Sequence, residues 1–389
     1  MAIAARIQLI TVLIFPFISF HSSAQDLQTI NVGKGLNCKQ PVFLKDIAQE
    51  VEYIFLETND KCRIGGPGHL IATNGDNIVI ASKPFLRFDS EGKFLNSISG
   101  KGKEPGQFTE VAGYDFDPTG GTFFIFDRLG KVINFQLNGD LIREQKVASG
   151  LYASVFSSDL VLNLFSSRMV GLSNGFRVVI NDTDGNPVSK LLKVNQEIIE
   201  NLENLSVQNT RTYSYRDSST VWEGLCDTVY RISHDFKVTP RYYINLGKHR
   251  LPKVLPITPT TPGYRKFIDK YVMPMRLNES VDHLFLETSD HGRSKKHLFN
   301  KSTGSCTTLP KNTLIINDFD GGPDFWPMGT TSDGKMYMLL DIVMLKQYWK
   351  PNTKYDLQYP ERQLEFIRRL EKANVNGNPI IMLVTPKEN

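Results

Sequence analysis

This sequence predicts an all-β ring of six repeated blades, a β-propeller, on three observations. The first is a unit written twice: Phe88-Asp-Ser-Glu-Gly-Lys-Phe-Leu95 recurs as Phe135-Gln-Leu-Asn-Gly-Asp-Leu-Ile142. Each copy is an aromatic strand end, a polar turn closed by glycine and an apolar restart. The second is the period, since Gly92, Gly139 and Gly185 stand 47 and then 46 residues apart, a spacing typical of propeller blades or solenoid coils. The third is composition: aromatics make up 11% of 389 residues, with 24 Phe and 14 Tyr, which favours β structure.

The chain opens on a targeting segment. Arg6 precedes an apolar run, Ile7–Phe20, and Ser22 and Ala24 supply small residues ahead of a cleavage point at Gln25. Residues 1–24 therefore read as a signal peptide and 25–389 as a single domain. The apolar run contains Pro16 and is short for a membrane span. The expectation is export, periplasmic or secreted, as a monomer with no transmembrane segment in the mature chain. Cys38, in Gly-Leu-Asn-Cys, fits a lipoprotein anchor poorly.

In an oxidising compartment the four cysteines allow three pairings. Cys38 and Cys62 lie closest and would staple the N-terminal edge, leaving Cys226 and Cys306 reduced and buried. Free thiols throughout are the alternative.

Residues Gln25–Gln40 read as irregular. Val51–Thr58 alternates as a strand. Unit one then places strands at Leu70–Thr73, Asn77–Ser82, Phe85–Phe88 and Lys93–Ser99, and unit two runs Gly113–Val147. Unit three takes Leu151–Ser157, Leu160–Phe165, Phe176–Asn181 and Pro187–Val194. A polar stretch with spaced apolar residues, Gln196–Leu205, reads as one or two helical turns. Unit four takes Thr212–Tyr215, Thr220–Gly224, Thr228–Ser233 and Val238–Leu246, with Phe236 where the turn glycine stood. Four prolines within His249–Gly263 forbid an interior strand and mark a long ordered loop. Unit five takes Tyr271–Leu277, His283–Thr288, Lys296–Asn300 and Ser305–Leu309. Unit six offers Trp326–Thr330, Lys335–Asp341 and, after a helix over Pro360–Ala373, Ile380–Thr385. Three strands in the last unit and one spare at the start predict closure of the ring by the N-terminal strand, with the helix as a short C-terminal insertion in the last blade.

Ile-Ser-Gly-Lys-Gly-Lys-Glu-Pro-Gly-Gln-Phe108, followed by Tyr114-Asp-Phe-Asp-Pro-Thr-Gly-Gly and Phe-Ile-Phe-Asp127, resembles the NHL-type repeat. With Tyr-Ile-Phe-Leu-Glu-Thr58 and Asp-Gly-Gly-Pro-Asp-Phe-Trp-Pro327, the chain resembles the exported six-bladed propellers of Bacteroidetes. The resemblance implies fold and export and carries over no catalytic residue.

Composition excludes several functions. The net charge of +4 spreads 45 basic residues among 41 acidic ones, so no nucleic-acid partner is expected. The densest basic spot in the fifth unit, Arg293 with Lys295 and Lys296, reads as a solvated hairpin tip. Gly-x-Ser-x-Gly, His-Glu-x-x-His and EF-hand patterns are absent. The glycine run Gly100–Phe108 lacks the Gly-Lys-Ser/Thr of a phosphate loop and reads as an inter-blade crossing. His283, His291 and His297 read as surface histidines rather than a metal triad. Asp182 and Asp184 beside Gly185 could be half a calcium loop, but they also suit an ordinary turn. No cofactor is expected, calcium being the alternative.

The strongest candidate site is Asn317–Pro327, which enters the innermost strand of unit six. It brings Asp318, Asp320 and Asp324 together with Phe325 and Trp326, and Tyr264 from the preceding loop extends it. Carboxylates beside aromatic faces suit a polar ligand with apolar faces; the competing reading packs Phe325 and Trp326 between blades. The expected function is binding of a glycan, peptide or partner protein on the loop-rich face, a binding protein rather than an enzyme. The alternatives are a propeller hydrolase or lyase (lactonase- or polysaccharide-lyase-like) with a channel metal, and a structural subunit of an envelope assembly.

Overall fold

A computed structural model describes residues 27–387, apart from 37–38, 65–70, 74, 118–120, 147–151, 158, 166–168, 195–209, 215–217, 224–225, 253–256, 258–259 and 332. The leader expected over residues 1–24, Cys38 and the helical turns expected over Gln196–Leu205 lie outside the described residues.

The chain begins with β1 (Gln28–Ile30), α1 (Val32–Gly35), α2 (Leu44–Ile47) and β2 (Ala48–Phe55). Blade one is β3 (Ile71–Thr73), β4 (Asn77–Ile80), β5 (Leu86–Asp89) and β6 (Phe94–Ser97). Blade two is β7 (Val111–Phe116), β8 (Thr122–Asp127), β9 (Lys131–Gln136) and β10 (Leu141–Lys146). Blade three is β11 (Tyr152–Ser157), β12 (Leu160–Leu164), β13 (Phe176–Asp182) and β14 (Pro187–Lys193). Blade four is β15 (Thr210–Ser214), β16 (Ser218–Glu223), β17 (Thr228–Ser233) and β18 (Val238–Ile244). After α3 (Tyr264–Ile268), blade five is β19 (Val272–Glu279), β20 (His283–Asp290), β21 (Arg293–Asn300) and β22 (Cys306–Thr308). Blade six is β23 (Gly329–Thr330), β24 (Met336–Leu340) and β25 (Ile380–Pro386), with α4 (Ile342–Tyr348) and α5 (Pro360–Lys372) between the last two.

Each blade is an antiparallel meander, and β2 completes blade six as its outer strand, in the order β2-β25-β24-β23. Val51 faces Val384 and Tyr53 faces Met382 across that pair. The sixth fold repeat is thus assembled from both ends of the chain. The ring closes through an apolar layer in which Ile54, Ile381 and Leu383 of blade six meet Ile78, Leu86 and Phe88 of blade one.

Five more layers of this kind separate the other neighbours, so the core is a set of inter-blade sheets rather than one centre. This explains why the second strand of blade two, Thr122–Asp127, is apolar without alternation: both of its faces are covered, and five of its six residues are buried. The outer strand Leu141–Lys146 has no buried residue and is mostly polar. The repeat glycines have two duties. Gly139 adopts φ 99°, and a Cβ there would stand 2.7 Å from the Ser97 carbonyl of the neighbouring blade. Phe236, at the equivalent turn, bears a φ of 62° without glycine's freedom. Its ring stacks on Phe156 at 5.8 Å, which offsets part of that strain.

Several expectations need correction. The stretch read as irregular, Gln25–Gln40, contains β1 and α1. Here β1 adds a parallel fifth strand to blade four, Thr29 facing Tyr243. Lys39 then bridges Thr308 and Phe43 bridges Ile316, so residues 28–36 and 39–47 form a strap across the outer edges of blades four and five before entering blade six. Short parallel pairings of this kind carry no alternating signature to read. The inner strand of blade six is Gly329–Thr330 rather than Trp326–Thr330. Helix α4 was not anticipated, and Asp341 caps it by accepting from the Met344 amide at 2.9 Å. The helix expected over Pro360–Ala373 is α5, which buries Phe366 and Leu370. His283 and His297 are buried, not surface histidines. Cys226 and Cys306 are only half-buried.

In antiparallel blades the first-to-second and third-to-fourth connections share one face of the ring, and the others share the opposite face. On the first face the connections among the described residues are short, four or five residues at 183–186, 234–237 and 301–305. On the second face lie the 98–110 crossing, the 245–271 loop with α3, the 309–328 loop and the 341–379 insertion with α4 and α5. Among the described residues, all the helical elements outside the strap sit on this face. The glycine run Gly100–Phe108 is the inter-blade crossing expected of it, pinned by the Phe108 amide on the Gly100 carbonyl at 3.2 Å.

Candidate functional site

The 309–328 connection runs from the outer strand of blade five to the inner strand of blade six. It first pairs outward, Leu44 donating its amide to Ile316 at 2.8 Å, and then doubles back so that Ile315 and Phe325 form an antiparallel bridge. At the bend Asn317 is the hub. Its Oδ1 accepts the amides of Phe319 and Asp320, each at 3.2 Å. Its Nδ2 donates to Asp320 Oδ1 at 2.8 Å and to the Pro323 carbonyl at 3.2 Å.

Asp320 is 1% exposed. Its Oδ1 also accepts from the Tyr53 hydroxyl and the Gly322 amide, both at 3.0 Å. Burial raises the carboxyl above its ordinary range, opposed by these donors and the nearby Arg362. Burial, with the Asp320 charge, also pushes the Tyr53 phenol well upward, so it remains a donor. Gly-Gly here has a physical reason. Gly321 adopts φ 72°, and a Cβ on Gly322 would lie 2.0 Å from the Tyr53 hydroxyl oxygen.

Asp318, equally buried, accepts the Lys45 amide at 3.0 Å through Oδ1 and pairs with Lys45 Nζ at 3.1 Å through Oδ2. Helix α5 and the segment before it cover the bend, with Tyr359 donating its amide to Phe319 at 2.8 Å and Gln363 Nε2 reaching the Gly321 carbonyl at 2.9 Å. Phe325 is fully buried, and Trp326, 4% exposed, meets Phe285 of blade five edge-on at 5.6 Å. Lys296 Nζ lies 5.7 Å from the Trp326 ring centre.

Tyr53 lies on the outermost strand of blade six, so the Asp320 network stands at the rim of the ring. Asp324 differs from its neighbours: its Oδ1 accepts the Asn317 amide at 3.0 Å and the residue is exposed. Tyr264 is half-buried at the start of α3, on the preceding connection, and shares none of these hydrogen bonds. Sequence reading missed Tyr53 and Lys45, because 267 residues separate Tyr53 from Asp320 and 273 separate Lys45 from Asp318, and only the closed fold brings them together.

The remaining candidates resolve into local chemistry. Asp182 Oδ1 accepts the amides of Asp184 and Asn186 at 2.9 and 2.8 Å. His297 stands in mid-strand opposite Leu286, whereas His283 faces Asn300 at one end of the hairpin and His291 lies at the other. Among the described residues no three His, Cys, Asp or Glu side chains gather as metal ligands. The Cys62 thiol, buried between blades six and one, donates to the Glu57 carbonyl at 3.3 Å; its expected partner Cys38 lies outside the described residues. No helix among them is long and apolar enough to cross a membrane.

The class is now defined: a six-bladed β-propeller, closed by its N-terminal strand and carrying a helical insertion in the last blade. The chain belongs to the DUF4934 family, a domain of unknown function whose model matches residues 27–385. It is similar in structure to a Bacteroides fragilis protein provisionally described as exported, with a TM-score of 0.68 and 16% identity. That match covers 93% of this chain and all of the other. A DUF4221 family member from Bacteroides vulgatus matches at 0.48 and 8% identity, over 88% and 98% of the two chains. Virginiamycin B lyase from Staphylococcus aureus matches at 0.39 and 12%, over 74% and 80%. At these identities the likeness concerns the fold, and the last two carry no functional argument. No curated protein sequence matches this chain.

Proposed function

We propose that this is an exported binding protein, released from its leader near Gln25, that recognises a glycan, peptide or partner protein on the face bearing its long connections. The observation that supports this reading is the asymmetry of the ring. Short connections make one face, and the other carries α3, α4, α5 and the inter-blade loops, and binding groups on rigid scaffolds concentrate in such loops. Asp324, exposed, and Tyr264, half-buried, are the candidate ligand contacts. Asp318, Asp320, Phe325 and Trp326 serve by holding the platform beneath them.

A glycan and peptide array with the mature protein tests the reading. Ligands found there should bind Tyr264→Ala and Asp324→Asn at least about tenfold more weakly, a loss of ~1.4 kcal/mol each, the second variant keeping the acceptor for the Asn317 amide. A ligand that binds both variants normally, and still binds after the 341–379 insertion is replaced by a short turn, would remove this face from the function.

A further inference from the structure

The tip of the blade-five hairpin looks unremarkable in sequence, a solvated turn with a few cations. The fold places a second basic segment against it. The β20–β21 turn comes up beside the C-terminal end of α3, where Gly292 would bring a Cβ within 3.8 Å of Asp269 Oδ1. Val272, just after α3, pairs with Asp290 in the same ladder. Segments 264–271 and 290–295 together hold Arg265, Lys266, Lys270, Arg293 and Lys295 against only Asp269 and Asp290. Asp290 is already occupied, accepting from His291 Nδ1 at 2.6 Å and pairing with Lys295. Arg265, Lys266, Lys270 and Arg293 are exposed, and none has an ion-pair partner among the described residues. Phe267 and Tyr271, half-buried, lie 5.4 Å apart between these cations, with Lys270 Nζ 5.9 Å from the Phe267 ring centre.

We infer that this surface over blade five binds an acidic oligosaccharide, one carrying carboxylate or sulfate groups; the inference rests on the binding face proposed above and names its ligand class. Clustered unpaired cations attract an anion and orient it, and aromatic rings among them offer apolar surface to a sugar ring. Two other polyanions fit less well. A nucleic acid held by backbone charge engages about six or more phosphates, beyond what four unpaired cations supply. A membrane surface calls for apolar side chains that insert, and none of the large hydrophobic residues in the two segments is exposed.

The test uses the mature chain with polygalacturonate and dextran sulfate oligomers, neutral dextran oligomers, phosphatidylglycerol vesicles and oligothymidylate as probes. The expected result is binding to at least one anionic oligosaccharide, weakening as salt rises from about 50 to 200 mM, and none to neutral dextran. The joint variant Arg265→Glu, Lys266→Glu, Lys270→Glu should bind at least tenfold more weakly while melting like the parent, since all three side chains are exposed. Equal binding of dextran, preference for vesicles or oligothymidylate, unchanged affinity in the variant, or silence toward both anionic oligomers overturns the inference. A neutral glycan or peptide lost in Tyr264→Ala but kept by the charge-reversed variant would overturn the acidic ligand alone and leave the binding face standing.

Discussion

The Tyr53 hydroxyl donates to Asp320 Oδ1 at 3.0 Å, joining the outer strand of blade six to the loop that feeds its inner strand. That one bond spans the blade made from both chain ends, so closing the ring also delivers a donor to a buried carboxylate oxygen.

Tyr53→Phe should therefore destabilise the protein by about 1–3 kcal/mol, the cost of withdrawing a donor from a buried group. Asn317 and Gly322 would remain on Asp320 and keep the loop in place. Gly322→Ala should cost at least as much, because its Cβ would collide with the same hydroxyl. Denaturant melts of the two variants decide this; wild-type midpoints would show that the network is not holding the blade.

A chain starting at Cys62 lacks the strap and β2. It should lose cooperative unfolding, since β25 would be left with an open edge and the apolar layers on both sides of blade six would be exposed. A single sharp transition at the parent's temperature would mean that closure by β2 is dispensable.

Trp326→Ala should lower stability by roughly 3–5 kcal/mol, as large-to-small changes at buried aromatic positions do. The ring meets Phe285 edge-on at 5.6 Å and has Lys296 Nζ 5.7 Å from its centre. Calorimetry on this variant, read beside affinity for any array ligand, separates packing from recognition.

His297 is a buried neutral histidine whose tautomer is dictated by its neighbours. Thr308 gives its proton to the Gly35 carbonyl at 2.7 Å. Nδ1 of His297 must then donate to Thr308, and Nε2 accepts from Thr288, both at 2.9 Å. Burial, with Lys295 nearby, pushes its pKa down to about 4. Between about 6.5 and 4 the unfolded chain binds the proton and the folded chain does not, so this group makes stability fall on acidification, by about 3 kcal/mol across that window. Asp115, on the inner strand of blade two, is pushed up to about 7 by burial, against the Phe116 amide. Its folded form keeps a proton the unfolded form releases, so it makes stability fall as pH rises from 3.8 toward 7. The two slopes oppose. Relative to wild type, His297→Gln should be least costly near pH 4, and Asp115→Asn should be most favourable above pH 7. Urea melts from pH 4 to 8 measure both, and pH-independent differences would contradict the assignment.

The blades were legible because a meander bonds each strand to its sequence neighbour, so turn residues such as Gly92, Gly139 and Gly185 and apolar runs such as Thr122–Asp127 announce them locally. Even closure could be counted, with three strands at one end and a spare at the other. The strap could not be seen. Its pairings, the three-residue parallel strand Gln28–Ile30 along Tyr242–Ile244 and the isolated bridge of Lys39 with Thr308, are short parallel contacts to distant strands and impose no periodicity on the sequence. The same limit applied to the candidate site. Asp318, Asp320 and Asp324 look alike in sequence, three carboxylates in a glycine-rich loop. Only the tertiary structure separates Asp320, bonded to Tyr53, and Asp318, bonded to Lys45, from Asp324, which stays exposed. A carboxylate's role depends on which donors surround it, and here those donors arrive from the far end of the chain when the ring closes.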